Sequence, residues 1–158
     1  MTKYEIRSLR VTFLILIWTG ITVKKELFLQ SSTVAGPVLN RLSRSNSLQK
    51  GDLIKVRIEI RCDRPMEYMH LKDMRAAGFE PVNVLSGYRY QDGLGYYEST
   101  KDASTNFFID YMPKGVYVFE YPLRVNSSGN FSNGVTTLQS MYAPEFTTHS
   151  EGIRVSVK

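Results

Sequence analysis

Residues that bind metals or carry redox chemistry are nearly missing from this chain: its 158 residues include one cysteine and two histidines. A lone cysteine excludes an internal disulfide and a cysteine-based zinc site. Zinc needs three or four ligands, and His70, His149 and scattered carboxylates do not propose such a set. Asp92, Asp102 and Asp110 have neither the spacing nor the glycine of a calcium loop. There is no glycine-rich phosphate cradle; Gly93 and Gly95 are explained by a turn between strands. Cys62 and His70 lack the flanking signature of a nucleophile and its base. Cys62 continues an alternating apolar face and reads as a small buried hydrophobe. Both histidines read as polar surface or sheet residues. Nothing selects a carboxylate pair for glycoside hydrolysis. The expectation is therefore a non-enzyme with no catalytic residue, no metal and no cofactor.

Helical periodicity is also poor, and residues 66–77 are the best candidate for one short helical turn. What is abundant is strand chemistry. Ten tyrosines and eight phenylalanines suit pleated surfaces. With 42% hydrophobic residues the chain can bury a core without staples. Residues 53–61 alternate cleanly: Ile54, Val56, Ile58 and Ile60 against Lys55, Arg57, Glu59 and Arg61. That period of two is a half-buried strand. Residues 115–126 repeat it with Tyr117, Phe119, Tyr121, Leu123 and Val125. Pro122 lies on the opposite parity and removes a ladder donor, which predicts an edge or a bulge there. Ile153, Val155 and Val157 make a short last strand, and 22–29, 82–90, 105–111 and 135–142 make weaker ones.

Turn signals separate these runs at Lys50-Gly51-Asp52, Asp92-Gly93-Leu94-Gly95, Pro113-Lys114-Gly115 and Ser128-Gly129-Asn130. Short strands at this spacing argue for an antiparallel β-sandwich. Its core should include Ile54, Val56, Ile58, Ile60, Phe119, Tyr121, Val155 and Val157. Residues 30–50 are Ser- and Asn-rich and read as a long connection with one extended segment. Asn126-Ser127-Ser128 and Asn130-Phe131-Ser132 match the N-glycan acceptor pattern, in a loop where Asn and Ser are expected anyway.

The formal charge is +5, with the basic excess in residues 1–75. A basic half can favour nucleic acid or an anionic membrane. Here the basic residues are scattered, and many alternate with apolar ones on the expected strands, so they read as a solvated face, and no nucleic-acid partner is expected. Residues 1–20 leave three readings open. Lys3, Arg7 and Arg10 before the apolar run 11–18 outline a signal peptide, although Trp18-Thr19-Gly20 is a poor cleavage site. The run also suits a buried strand, or a foreign leader acquired by a gene fragment. It is far too short to span a bilayer as a helix. The tyrosines Tyr88, Tyr90, Tyr96 and Tyr97 flank the turn at Gly93. Exposed, they would contact a sugar or a protein partner; paired across a hairpin, they would stabilise the sheet.

From Tyr68 the chain reads YMHLKDMRAAGFEPVNVLSGYRYQDGLGYY, followed by Glu98-Ser99-Thr100-Lys101-Asp102-Ala103-Ser104-Thr105-Asn106-Phe107-Phe108. Pro113-Lys114-Gly115-Val116-Tyr117, Met141-Tyr142-Ala143-Pro144-Glu145-Phe146 and Ser150-Glu151-Gly152-Ile153-Arg154-Val155 come later. Together these resemble the last domain of bacterial alpha-2-macroglobulins, envelope proteins that trap proteases. The resemblance spans residues 21–158. It implies a macroglobulin-like β-sandwich that packs against a thioester domain and neighbouring macroglobulin-like domains. It also implies a periplasmic or envelope setting and only indirect contact with target proteases.

In the family the thioester forms within Cys-Gly-Glu-Gln, whereas Cys62 is followed by Asp63-Arg64-Pro65. The family's covalent trapping therefore lies outside this chain, which carries no recognisable bait region either. In bacterial members a Met-Tyr-x-Pro-Glu motif covers the thioester and keeps water away, and Met141-Tyr142-Ala143-Pro144-Glu145 matches it position by position. The resemblance thus implies Tyr142 as a lid and Met141 as an adaptable filler. An independent sandwich module, binding glycans or an adhesion partner through the tyrosine-rich loop, is the other expectation.

Overall fold

The computed structural model describes residues 20–34, 36–43 and 47–158. The three readings of residues 1–20 fall outside the described residues, apart from Gly20. The described chain is built from strands and turns. The first strands are β1 (Ile21–Thr33), β2 (Gly36–Arg41), β3 (Ser47–Leu48) and β4 (Leu53–Cys62). Then come β5 (Met66–Met74), β6 (Phe79–Pro81), β7 (Gly87–Gln91), β8 (Leu94–Thr100) and β9 (Ser104–Met112). The last are β10 (Gly115–Val125), β11 (Gly129–Ser132), β12 (Thr136–Ser140), β13 (Thr147–His149) and β14 (Arg154–Val157).

One sheet runs β2-β1-β4-β10-β6 and a second runs β13-β12-β5-β9-β8-β7. A small third ribbon runs β11-β14-β3. All pairings are antiparallel except the short one between β14 and β3. The two large sheets face each other. Phe107 of β9 and Phe119 of β10 stand 4.9 Å apart between ring centroids, and Tyr96 of β8 reaches the same Phe119 at 5.1 Å. The expected core is in place: Ile54, Val56, Ile58, Ile60, Phe119, Tyr121, Val155 and Val157 are all buried. Each fully buried aliphatic side chain contributes about 1.5–3 kcal/mol.

The edge expectation at Pro122 has a clear basis. β4 and β10 keep one register from Gly115↔Cys62 to Arg124↔Leu53, so there is no bulge. The Pro122 carbonyl accepts the Val82 N–H, so Pro122 turns its backbone away from β4. Its missing donor therefore points to the side where only the last residues of β10 pair, with β6. The ladder to β4 is not disturbed.

Three expectations are corrected. Residues 66–77 do not form a helical turn: Met66–Met74 is β5, inside the second sheet between β12 and β9. Residues 30–50 are not mainly a loop, because β1 continues to Thr33 and folds back on β2. The strand placed at 82–90 begins only at Gly87. Before it, residues 82–86 form an exposed loop tied to the end of β8. The Thr100 N–H donates to Ser86 Oγ (3.2 Å) and the Thr100 hydroxyl to the Asn83 carbonyl (3.4 Å).

Candidate functional site

β12 ends at Ser140, and the chain returns as β13 through a turn that holds Met141 and Tyr142. Most of its backbone bonds are local. Ser140 N–H donates to Phe146 O (3.1 Å), Phe146 N–H to Ala143 O (3.0 Å) and Thr147 Oγ1 to Pro144 O (2.7 Å). Ala143 N–H donates to Ser140 Oγ (3.3 Å). Met141 N–H reaches sideways to the Tyr68 carbonyl of β5 at 2.9 Å. The side chains of Met141 and Tyr142 are left outside, 56% and 78% exposed. Tyr142 meets one neighbouring ring edge-on, that of Tyr68, with centroids 4.9 Å apart and an 89° angle between planes. A bulky apolar knob on an internally bonded turn can cover a reactive bond on a docked partner and exclude water from it.

Tyr68 was not singled out by sequence reasoning. A signal for it exists: Met66 and Met69, and across the ladder Ile109 and Met112, are apolar pairs three apart where a strand demands two.

The tyrosine hairpin divides into two faces. β7 and β8 are joined by Asp92 and Gly93, both with positive φ (51° and 79°), the geometry of a tight two-residue hairpin turn. Tyr88 and Tyr90 are exposed, and Tyr88 meets Tyr97 across the ladder at 5.0 Å. Tyr96 is buried, so it is corrected from a loop contact to a core residue. Adjacent strand residues face opposite sides, and Tyr97 on the outer face puts Tyr96 inside. Burial pushes the Tyr96 phenol up from its ordinary pKa.

The expectation that basic residues are solvated fails at Lys25, whose side chain is fully buried against Asp73. Lys25 Nζ lies 2.6 Å from Asp73 Oδ1 and donates to the Met74 carbonyl at 2.7 Å and the Asn133 carbonyl at 3.2 Å. Asp73 also accepts from Thr136 Oγ1 at 2.5 Å and from the Tyr121 hydroxyl. The cluster joins β1 and β10 of one sheet to β5 and β12 of the other. Burial pulls the Lys25 pKa down against the attraction of Asp73. Burial, reinforced by Asp73, drives the Tyr121 phenol well above its ordinary value. Arg75 is buried nearby and donates to the Lys101 carbonyl (2.7 Å) and Thr105 Oγ1 (3.1 Å). Lys25, Asp73, Thr136 and Tyr121 satisfy one another inside the core and fix sheet against sheet, whereas Arg75 Nε and Nη1 are buried with no hydrogen-bond partner among the described residues.

His70 stacks on Phe108 at 4.7 Å and shares a 3.0 Å hydrogen bond with Asn106 Oδ1, while His149 is exposed. Cys62 is buried at the end of β4, and its thiol donates to the Arg64 carbonyl at 2.7 Å. Burial raises the Cys62 pKa, so at neutral pH it is a protonated, enclosed thiol. Among the described residues no group of three or more His, Cys, Asp or Glu is placed to hold a metal ion.

Two facing antiparallel sheets with an exposed Met-Tyr turn at one end define a macroglobulin-like sandwich. Residues 20–145 match the family described as the bacterial alpha-2-macroglobulin MG10 domain, and the chain belongs to that family. Among solved structures, Salmonella alpha-2-macroglobulin reacted with methylamine superposes with a TM-score of 0.67 at 18% identity. That match covers 88% of this chain and 9% of the other. Native Escherichia coli alpha-2-macroglobulin, from domain MG7 to the C-terminus, gives a TM-score of 0.68 at 13% identity, over 88% of this chain and 23% of that one. A curated relative, circularly permutated Ras protein 2 of Dictyostelium discoideum, is 22% identical over 107 residues, 68% of this chain. The chain spans 3% of that relative's length.

Proposed function

We propose that this chain is a non-catalytic macroglobulin-like domain whose Met141–Tyr142 end packs against a thioester domain and shields the thioester from water. The folding unit runs from Ile21 to Lys158. Protease capture belongs to other domains, and target proteases are met only indirectly. The family makes the periplasm or cell envelope the expected setting. The observation that carries this reading is the Met141–Tyr142 pair itself: two large side chains, more than half exposed, on a turn held by its own backbone bonds and by one bond to the Tyr68 carbonyl of β5. A contiguous apolar projection of this kind marks an interface.

The test is reconstitution with a thioester domain from the same genome. Tyr142→Ala should leave this chain's melting temperature nearly unchanged and speed thioester hydrolysis and labelling by small amines such as methylamine. Unchanged rates of both overturn the lid.

A second reading is favoured by Val84, Leu85, Tyr88 and Tyr90, all well exposed beside one another in sequence. They fit an independent module that binds a glycan or an adhesion partner. Loss of such binding in the Tyr88→Ala, Tyr90→Ala double variant, with Tyr142→Ala silent, would favour this reading over the lid.

A further inference from the structure

We infer that Tyr68 is the positioning residue for Tyr142, so that the Met141–Tyr142 knob is preformed and not moulded by its partner. This rests on the lid reading above and adds a residue to it.

The inference starts from a fault in the strand pattern. On β5, Met69, Leu71 and Asp73 face the core, and a period of two would bring Glu67 in next. Instead Glu67 and Tyr68 are both exposed and Met66 is buried. On β9 the same happens at the same level: Ile109 is buried, Asp110 and Tyr111 are both exposed, and Met112 is buried. The ladder pairs Met69 with Ile109 and Glu67 with Tyr111, and the rung between them is missing. At that rung Tyr68 has φ of 51°. A left-handed backbone is disfavoured for any bulky side chain and free for glycine.

A tyrosine held there is not serving the core, because the residue is 47% exposed. The unusual backbone does two other things. It turns the Tyr68 carbonyl to the Met141 N–H at 2.9 Å, and it stands the Tyr68 ring edge-on against Tyr142 at 4.9 Å. Backbone strain kept in this way is characteristic of sites that must be preorganised. Edge-to-face contact then fixes a ring that would otherwise rotate freely in solvent.

Two variants of the full chain separate positioning from folding. Tyr68→Gly accepts the same φ and removes the ring; Tyr68→Phe keeps the ring. Tyr68→Gly should melt no lower than wild type, while the Tyr142 ring resonances move to free-tyrosine positions and relax as a mobile side chain. Tyr68→Phe should retain the wild-type Tyr142 signals. With the thioester domain bound, Tyr68→Gly should speed hydrolysis by roughly two- to tenfold, the range set by one aromatic pair, and Tyr68→Phe should not. Unmoved Tyr142 resonances in Tyr68→Gly overturn the inference. So does a Tyr142→Ala acceleration that Tyr68→Gly fails to share, and the lid then survives without Tyr68. If neither variant changes the rate, the lid reading itself falls, and the positioning role with it.

Discussion

β4 is laddered along its whole length to β1 on one side and β10 on the other, ten residue pairs each, without a break in register. β5, in the facing sheet, loses a rung at Tyr68 and changes the face it buries. The first sheet obeys period two from Ile54 to Cys62, and its outer face is laced by exposed ion pairs such as Arg57–Glu120. The second sheet contains the positive-φ residues Tyr68 and Asp92 and holds Asp73 in the core. It also ends in the Met141–Tyr142 turn. The difference separates scaffold from site. A regular sheet fixes the frame, and the departures from regularity collect in the sheet that carries the exposed side chains.

The largest effect should come from breaking the regular sheet. Ile58 is fully buried midway along β4, where Lys25 and Phe119 are its ladder partners. Ile58→Asp buries a second carboxylate opposite Lys25, whose ammonium is already held by Asp73 and two backbone carbonyls, and should cost more than about 4 kcal/mol. That is comparable to the whole stability of a small domain, so loss of a cooperative melt is expected. A wild-type melting curve for Ile58→Asp would remove β4 from the centre of the frame.

The next effect tests the bolt between the sheets. Lys25→Met or Asp73→Ala alone leaves a buried charge or buried donors without a partner and should cost about 3–5 kcal/mol. The double variant should cost clearly less than the sum of the singles, because removing the second partner also removes the orphaned charge. Additive losses in urea titrations would mean that the two side chains do not act as a pair.

The same contrast explains what the sequence made legible. β4 and β10 were readable because each strict alternation has one buried face and one wet face. β5 was mistaken for a helical turn because Met66 and Met69 sit three apart, a helix-like spacing that here comes from the flip at Tyr68. β2 was hidden because it is an outer strand with little buried surface and a composition that reads as loop. Lys25 was unreadable because the charged run Lys24-Lys25-Glu26 ordinarily marks a wet face, and its partner Asp73 lies on the opposite sheet. Met141 and Tyr142 were found only through the Met-Tyr-x-Pro-Glu motif, since nothing in their local pattern distinguishes an exposed turn from a strand end. Tyr68 needed the ladder.

The smallest effects belong to the tyrosine hairpin, where two residues of one type should behave differently. Tyr96 packs edge-on against Phe107 and Phe119, at 5.8 and 5.1 Å, and is 9% exposed. Tyr96→Ala opens a cavity between the sheets and should cost about 3 kcal/mol. Tyr88 is 85% exposed and touches one ring, that of Tyr97. Tyr88→Ala loses only a cross-strand pair and should cost less than about 1 kcal/mol. Urea midpoints at unchanged m-value give both numbers directly. Equal costs would contradict the division of the hairpin into an inner and an outer face. A costly Tyr88 with a silent Tyr96 would reverse it, which requires both β7 and β8 to be displaced by one residue, since a one-residue slip exchanges every side chain of a strand between the two faces.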